Sequence, residues 1–131
     1  MKRLLEPWTE TTYALLRIVA GAMFTFHGVQ KIFGVLQEHG APHLFSQIWF
    51  GGLIELVAGV LIAVGAATRC AAFVASGEMA VAYIQFHWKF AFDSRFLPGV
   101  NKGELALLYS FLFLFIACRG AGRWSVDARR S

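Results

Sequence analysis

Apolar residues fall into four blocks separated by shorter polar stretches. The first block, TYALLRIVAGAMFTFHGVQKIFGVL, predicts a helix over 12–36. Three further blocks predict helices over 48–67, 70–89 and 103–119, the first of them rich in glycine and alanine. Residues 1–11 read as a polar, interfacial start. Gln37–Gln47 and Phe90–Lys102 read as loops, and Thr68-Arg69 as a tight polar turn. The tail, GAGRWSVDARRS, breaks helix at Gly120 and Gly122. A run of about 20 apolar residues is long enough to cross a bilayer, and interfacial residues extend shorter ones. The pattern therefore predicts an all-α polytopic membrane protein. Its four transmembrane helices would form one up-down-up-down bundle over 1–131.

Composition sharpens this reading. The chain is 57% hydrophobic and 15% charged, against roughly 25% charged in soluble domains. Its mean hydropathy is +0.57. A soluble helical domain of this composition would lack the polar surface to cover its core. The net charge of +4 comes without the basic stripe that nucleic-acid binding needs. Lys2 and Arg3 before an apolar run imitate a signal peptide. Arg17 interrupts that run, which is also too long for a signal core, so a retained first helix is expected.

Four spans place both termini on one side. Seven basic residues belong to that side: Lys2, Arg3, Arg69, Arg119, Arg123, Arg129 and Arg130. The other side holds four, Lys31, Lys89, Arg95 and Lys102. The positive-inside rule then predicts cytoplasmic termini in a cell inner membrane. Trp8 and Trp124 fall at the inner boundary and Trp49 and Trp88 at the outer one, as an aromatic belt would.

Ionisable residues interrupt the apolar blocks, and helical periodicity gathers them on stripes. Arg17, Gly21, Phe24, Gly28 and Lys31 share a face of the first helix, with His27 at its edge. Gly52, Glu55, Gly59 and Ala66 share a face of the second. Ala71, Ala75, Glu78, Ala82, Gln85 and Lys89 share a face of the third. Small residues let membrane helices approach closely, so these faces are expected to point into the bundle. A charge at the bilayer centre costs about 2.5–3.5 kcal/mol on insertion scales, so pairing is expected there. His27, Lys31, Glu55 and Glu104 fall in the outer half and predict an outward-facing polar pocket. Glu78, near mid-helix, meets Arg17 if that side chain reaches upward. Intramembrane ionisable residues point to ligand binding or proton handling, and the candidates are His27, Lys31, Glu55, Glu78, Gln85 and Glu104. A network that only fixes helix register is the alternative. It is strongest for Arg17, read as a structural charge, and for Glu104, an acid at a helix start.

One histidine on a helix, with His39 and His43 in a loop and His87 near Trp88 read as interfacial, predicts no metal or haem site. A quinone headgroup needs hydrogen-bond partners in an apolar slot, and His27, Glu55 and Gln85 would supply them. Cys70 and Cys118 have no metal or C-x-x-C spacing and are expected to pack as small apolar residues.

Taken together, these pieces resemble the DoxX family over nearly the whole chain. The resemblance rests on Arg17, on His27-Gly28-x-x-Lys31, and on Gly51-Gly52-x-x-Glu55-x-x-x-Gly59. It continues through Gly65, Thr68-Arg69, Gly77-Glu78-Met79-Ala80 and Pro98-x-x-Asn101-x-Gly103-Glu104. It ends in Gly120-Ala121-Gly122-Arg123-Trp124-Ser125-Val126-Asp127. The family more usually has a proline where this chain has Ala121. The resemblance implies a four-helix inner-membrane protein of bacteria or archaea. It also implies a link to thiosulfate:quinone oxidoreduction, or to oxidative and thiol stress, with a soluble redox or sulfur-metabolism partner. On this basis the expected role is a membrane component that holds a quinone-like or other small molecule; if an enzyme, it would be a subunit of an oxidoreductase complex. A non-enzymatic scaffold recruiting a partner through Arg123–Arg130 is the alternative. A solute or proton-coupled carrier using Glu78 is a third reading; with only four helices it would need a homo-oligomer.

Overall fold

The computed structural model describes residues 1–129; Arg130, counted above in the charge asymmetry and in the tail, lies outside the described residues. All regular structure among the described residues is helical. Four helices carry the fold: α1 (Thr9–Phe33), α2 (Gln47–Val64), α3 (Thr68–Ala82) and α4 (Glu104–Arg119). Two stretches, Arg3–Phe33 and Gln47–Val64, are long and apolar enough to cross a membrane.

The ends of these helices differ from the predicted ones for local reasons. Helical turns over Lys2–Leu5 and Glu6–Trp8 lead into α1, where the interfacial start was expected. The Thr9 and Thr12 hydroxyls donate to the Glu6 and Trp8 carbonyls, at 2.9 and 3.0 Å, so they do not interrupt the helix. At its other end α1 stops short of Leu36 because Gly34 takes the left-handed cap, φ 66°, and returns its N–H to Gln30 O. Gly65 ends α2 in the same way, φ 72°. Ser46 opens α2 by accepting the Trp49 N–H. Beyond Ala82, α3 widens into a π-helical turn over Tyr83–Trp88. The loop that follows is partly helical, with short turns at Ser94–Phe96 and Pro98–Asn101. In that loop Arg95 holds the Asp93 carboxyl at about 2, below the usual carboxylate range, through side-chain and backbone hydrogen bonds. The exposed pair therefore persists until pH falls through about 2.

Packing follows the small-residue stripes. Gly21 of α1 faces Gly59 of α2, and Gly28 faces Gly52, so the two helices run antiparallel. A Cβ at Gly21 would lie 2.7 Å from Gly59 O, and one at Gly28 would lie 2.7 Å from Gly52 O. Such backbone approach is what glycine permits. In α3, Ala71, Ala72 and Ala75 are buried, and Ser76 Oγ donates to Ser110 O of α4 at 2.8 Å. Larger rings fill the wider space between α1 and α4, where Phe24 packs on Phe113 and Tyr109 with centroids 4.7 and 5.7 Å apart. The outer faces carry large apolar side chains, among them Val19, Phe26, Val57, Phe73, Leu108 and Phe111. This apolar outer surface suits lipid as the solvent.

One end of the molecule is built by satisfying helix carbonyls. The last four C=O groups of a helix have no partner within it, and a buried one left unpaired costs free energy. At the end of α2, Ala66 N–H takes Leu61 O, and Arg17 Nη1 takes Ile62 O and Ala63 O at 2.6 and 2.7 Å. The tail supplies Val126 N–H to Val64 O and Asp127 N–H to Gly65 O. At the end of α4, Gly120 N–H takes Ile116 O, and Arg69 takes the carbonyls of Ala117, Cys118 and Arg119. Tyr13 Oη donates to Gly120 O at 2.5 Å. The Asp127 carboxylate caps the start of α3, accepting from Ala67 N, Thr68 N and Thr68 Oγ1, each at 2.9 Å. Asp127→Ala is expected to lower stability by about 1–2 kcal/mol, the usual cost of losing such a cap. Asp127→Asn should recover part of that loss. Thermal unfolding of detergent-solubilised protein reads this, and an unchanged midpoint in the alanine variant would refute the capping role.

Candidate functional site

At the opposite end of the bundle, residues of all four helices line an open cavity of about 770 Å³. Phe24, Phe50, Ile54, Phe73 and Tyr109 make most of its wall apolar, and His27, Lys31, Gln47, Glu55, Glu78 and Lys102 add polar groups. Drug-sized ligands occupy pockets of roughly 300–1,000 Å³ with this kind of wall.

The polar centre is built on the glycine contacts. Gly28 and Gly52 draw α1 and α2 together, which sets Lys31 of α1 beside Glu55 of α2. Lys31 Nζ lies 2.6 Å from Glu55 Oε1, with the Glu55 side chain 3% exposed and Lys31 30% exposed. Glu55 Oε2 is buried and has no hydrogen-bond partner among the described residues. Glu78 of α3 reaches towards the same place. Its Oε1 would lie 3.1 Å from a Cβ at Gly51, so a side chain there would crowd it. Glu78 Oε2 is likewise buried without a partner. Glu55 and Glu78 lie near enough to act on each other electrostatically, and Lys31 acts on both. The centre thus holds two carboxylates, one ammonium and two unpartnered acceptor oxygens.

Of the residues singled out in the sequence, His27, Lys31, Glu55 and Glu78 come together in this cavity. Gln85 is exposed in the π-helical turn, and its side chain accepts from Gln47, which lines the cavity. Glu104 does not join them: it is exposed in the first turn of α4 and is absent from the lining. Arg17 is fully buried at the other end, on the carbonyls of Ile62, Ala63, Arg123 and Trp124, and does not meet Glu78. Cys70 and Cys118 are free and exposed rather than packed inside. Among the described residues, no group of three or more His, Cys, Asp or Glu is placed to hold a metal.

Several contributors escaped the sequence reading. Gln47 and Lys102 border helix starts, where polar residues carry no distinguishing signal. Tyr109 shares a buried face with Ala106, Phe113 and Ile116, but α4 is apolar nearly all round, so nothing in the sequence marks that face. Asn101 organises the loop under the cavity: it donates to Arg95 O at 2.8 Å and accepts from Gly103 N at 2.8 Å. The nearby His87 Nδ1 sits 3.2 Å from Asn101 O. The tail, which the scaffold alternative assigns to partner recruitment, is stitched to the end of α2 by its backbone and to the start of α3 by the Asp127 carboxylate.

Comparison with known proteins places the chain. The DoxX family model matches residues 12–88. A relative from Haemophilus influenzae, described as an uncharacterized protein, is 40% identical over 126 residues, covering 94% of this chain and 93% of its own. An uncharacterized membrane protein of Mycobacterium tuberculosis is 28% identical over 145 residues, covering 98% of this chain and 87% of its own. No solved structure matches the chain. The chain is therefore a membrane protein of the DoxX family.

Proposed function

We propose that the protein is a four-span inner-membrane bundle with cytoplasmic termini, and that its cavity binds a small quinone-like amphiphile for redox metabolism or oxidative and thiol-stress defence. The four-span reading is supported by the apolar outer faces and by α3, which with its π-helical turn runs from Thr68 to Trp88. At 1.5 Å per residue, the 16 residues of α4 cover about 24 Å, and interfacial residues at both ends extend it.

One observation carries the binding reading. Glu55 Oε2 and Glu78 Oε2 are buried, unpartnered and set in one largely apolar cavity. An unsatisfied buried polar group costs about 1–3 kcal/mol or more. A ligand that offers hydroxyl or N–H donors at one end and an apolar body at the other meets both needs. A quinol fits that description, with His27 and Lys31 placed for a ring oxygen that accepts. In this reading the chain binds and orients the molecule, and a soluble partner carries out electron transfer.

The test is binding of a short-chain quinol and its quinone to protein in nanodiscs, followed by tryptophan fluorescence. Charge-assisted hydrogen bonds contribute about 1.5–3 kcal/mol, so Glu78→Gln should weaken quinol binding roughly 10-fold or more while leaving the melting temperature near wild type. Failure of both redox forms to saturate the wild-type protein, or equal binding by Glu78→Gln, would sink the reading.

A further inference from the structure

The end of the bundle that holds the termini carries a second depression, of about 730 Å³, which the proposed function does not use. Arg69, Arg119 and Arg123 all line it. Two of these guanidinium groups are held in place. Arg69 is fixed by three carbonyls of the last turn of α4 and has no carboxylate partner among the described residues. Arg119 lies over the Tyr13 ring, 4.3 Å from its centroid, and pairs with Glu10. Arg123 differs: its carbonyl accepts from Arg17, but its exposed side chain bonds to no described residue.

The loop beside them adds donors. Ala121 and Gly122 line the depression, and their backbone N–H groups donate to no described residue. The acids nearby are already engaged, Glu10 by Arg119 and Asp127 by the start of α3. The depression thus presents the unengaged guanidinium of Arg123 beside those of Arg69 and Arg119, while Glu10 and Asp127 of its lining are bonded to Arg119 and to the start of α3.

We propose that this depression binds a phosphate-bearing anion, either the headgroup of an anionic lipid or a free phosphate. Planar guanidinium groups match phosphate oxygens in a two-point fashion. Trp8 and Trp124, 60% and 55% exposed, lie at the same end. Exposed indoles of membrane proteins favour the headgroup level, which puts the depression at the depth of a lipid phosphate.

Native mass spectrometry of protein released from mixed micelles tests the proposal, with phosphatidylglycerol, phosphatidylcholine and inorganic phosphate as probes. The expected result is one phosphatidylglycerol retained at least 10-fold more tightly than phosphatidylcholine. Arg123→Gln should lose most of that preference, since the fold uses only its carbonyl. Arg129→Gln removes the same charge from a residue outside the depression and should retain the preference. Competition by millimolar inorganic phosphate identifies a soluble anion as the ligand; retention of the lipid against it identifies the headgroup. The proposal is overturned if neither phosphatidylglycerol nor phosphate binds preferentially. It is equally overturned if Arg129→Gln weakens binding as much as Arg123→Gln does, since diffuse charge would then suffice.

Discussion

Replacing Arg17 by methionine is expected to destabilise the protein by roughly 3–5 kcal/mol, as losing one partner of a buried charged network commonly does. The side chain is fully buried, and it donates to four carbonyls. Two end α2 and two belong to the tail, so one guanidinium joins three parts of the chain that are distant in sequence. Methionine fills much of the volume but leaves those carbonyls with one donor fewer each, at a site whose burial keeps water from replacing it. Arg17 also places a cation at the C-terminus of α2, where the helix dipole is negative. Arg17→Lys should recover the charge without the planar fork and fall between wild type and methionine. Denaturant titration in mixed micelles measures the differences. A methionine variant as stable as wild type would show that the carbonyls find other donors.

This example also shows which parts of the molecule can be read from residue types. Arg17 is conspicuous because it is a charge in an apolar block. The glycines at 21 and 28, and at 52 and 59, are conspicuous because equal spacing on two helices implies mutual approach. Both features are visible as side-chain chemistry at helical period. The partners of Arg17 are backbone carbonyls, which every residue has, so nothing in the sequence marks Ile62 or Trp124 as acceptors. An acid such as Glu78 is then the more obvious partner to expect.

The candidate site divides in a similar way. Lys31 and Glu55 lie on glycine-bearing faces of adjacent antiparallel helices, and periodicity alone suggests their meeting. Glu78 enters the same centre because Gly51 leaves room for its carboxylate, a matter of how α2 and α3 are rotated. Glu104 falls outside because it opens α4 in an exposed first turn, whereas Glu55 sits at the middle of α2. Depth follows from position along a helix, whereas rotation follows from packing between helices. The apolar residues of α4 surround it so evenly that they give little guide to its rotation.

The Lys31–Glu55 pair gives the second large prediction, because it bears on stability and on binding at once. Lys31→Met should destabilise the protein by about 3–5 kcal/mol, since it strips a buried carboxylate of its counter-charge. Glu55 is 3% exposed and already has one oxygen without a partner, so the variant would leave both bare. Replacing a buried pair by apolar residues is often neutral, so Lys31→Met/Glu55→Leu should regain most of the loss. The cycle should give a coupling above about 2 kcal/mol, well beyond the ~0.6 kcal/mol average for hydrogen bonds between membrane helices. A double variant as unstable as Lys31→Met alone would rule out the uncompensated carboxylate as the cause. If the double variant folds, it isolates the function, because its cavity keeps Glu78 and the apolar wall but loses the Glu55 acceptor. Quinol binding should then fall at least 10-fold although stability is restored, which a charge network serving only the fold would not produce.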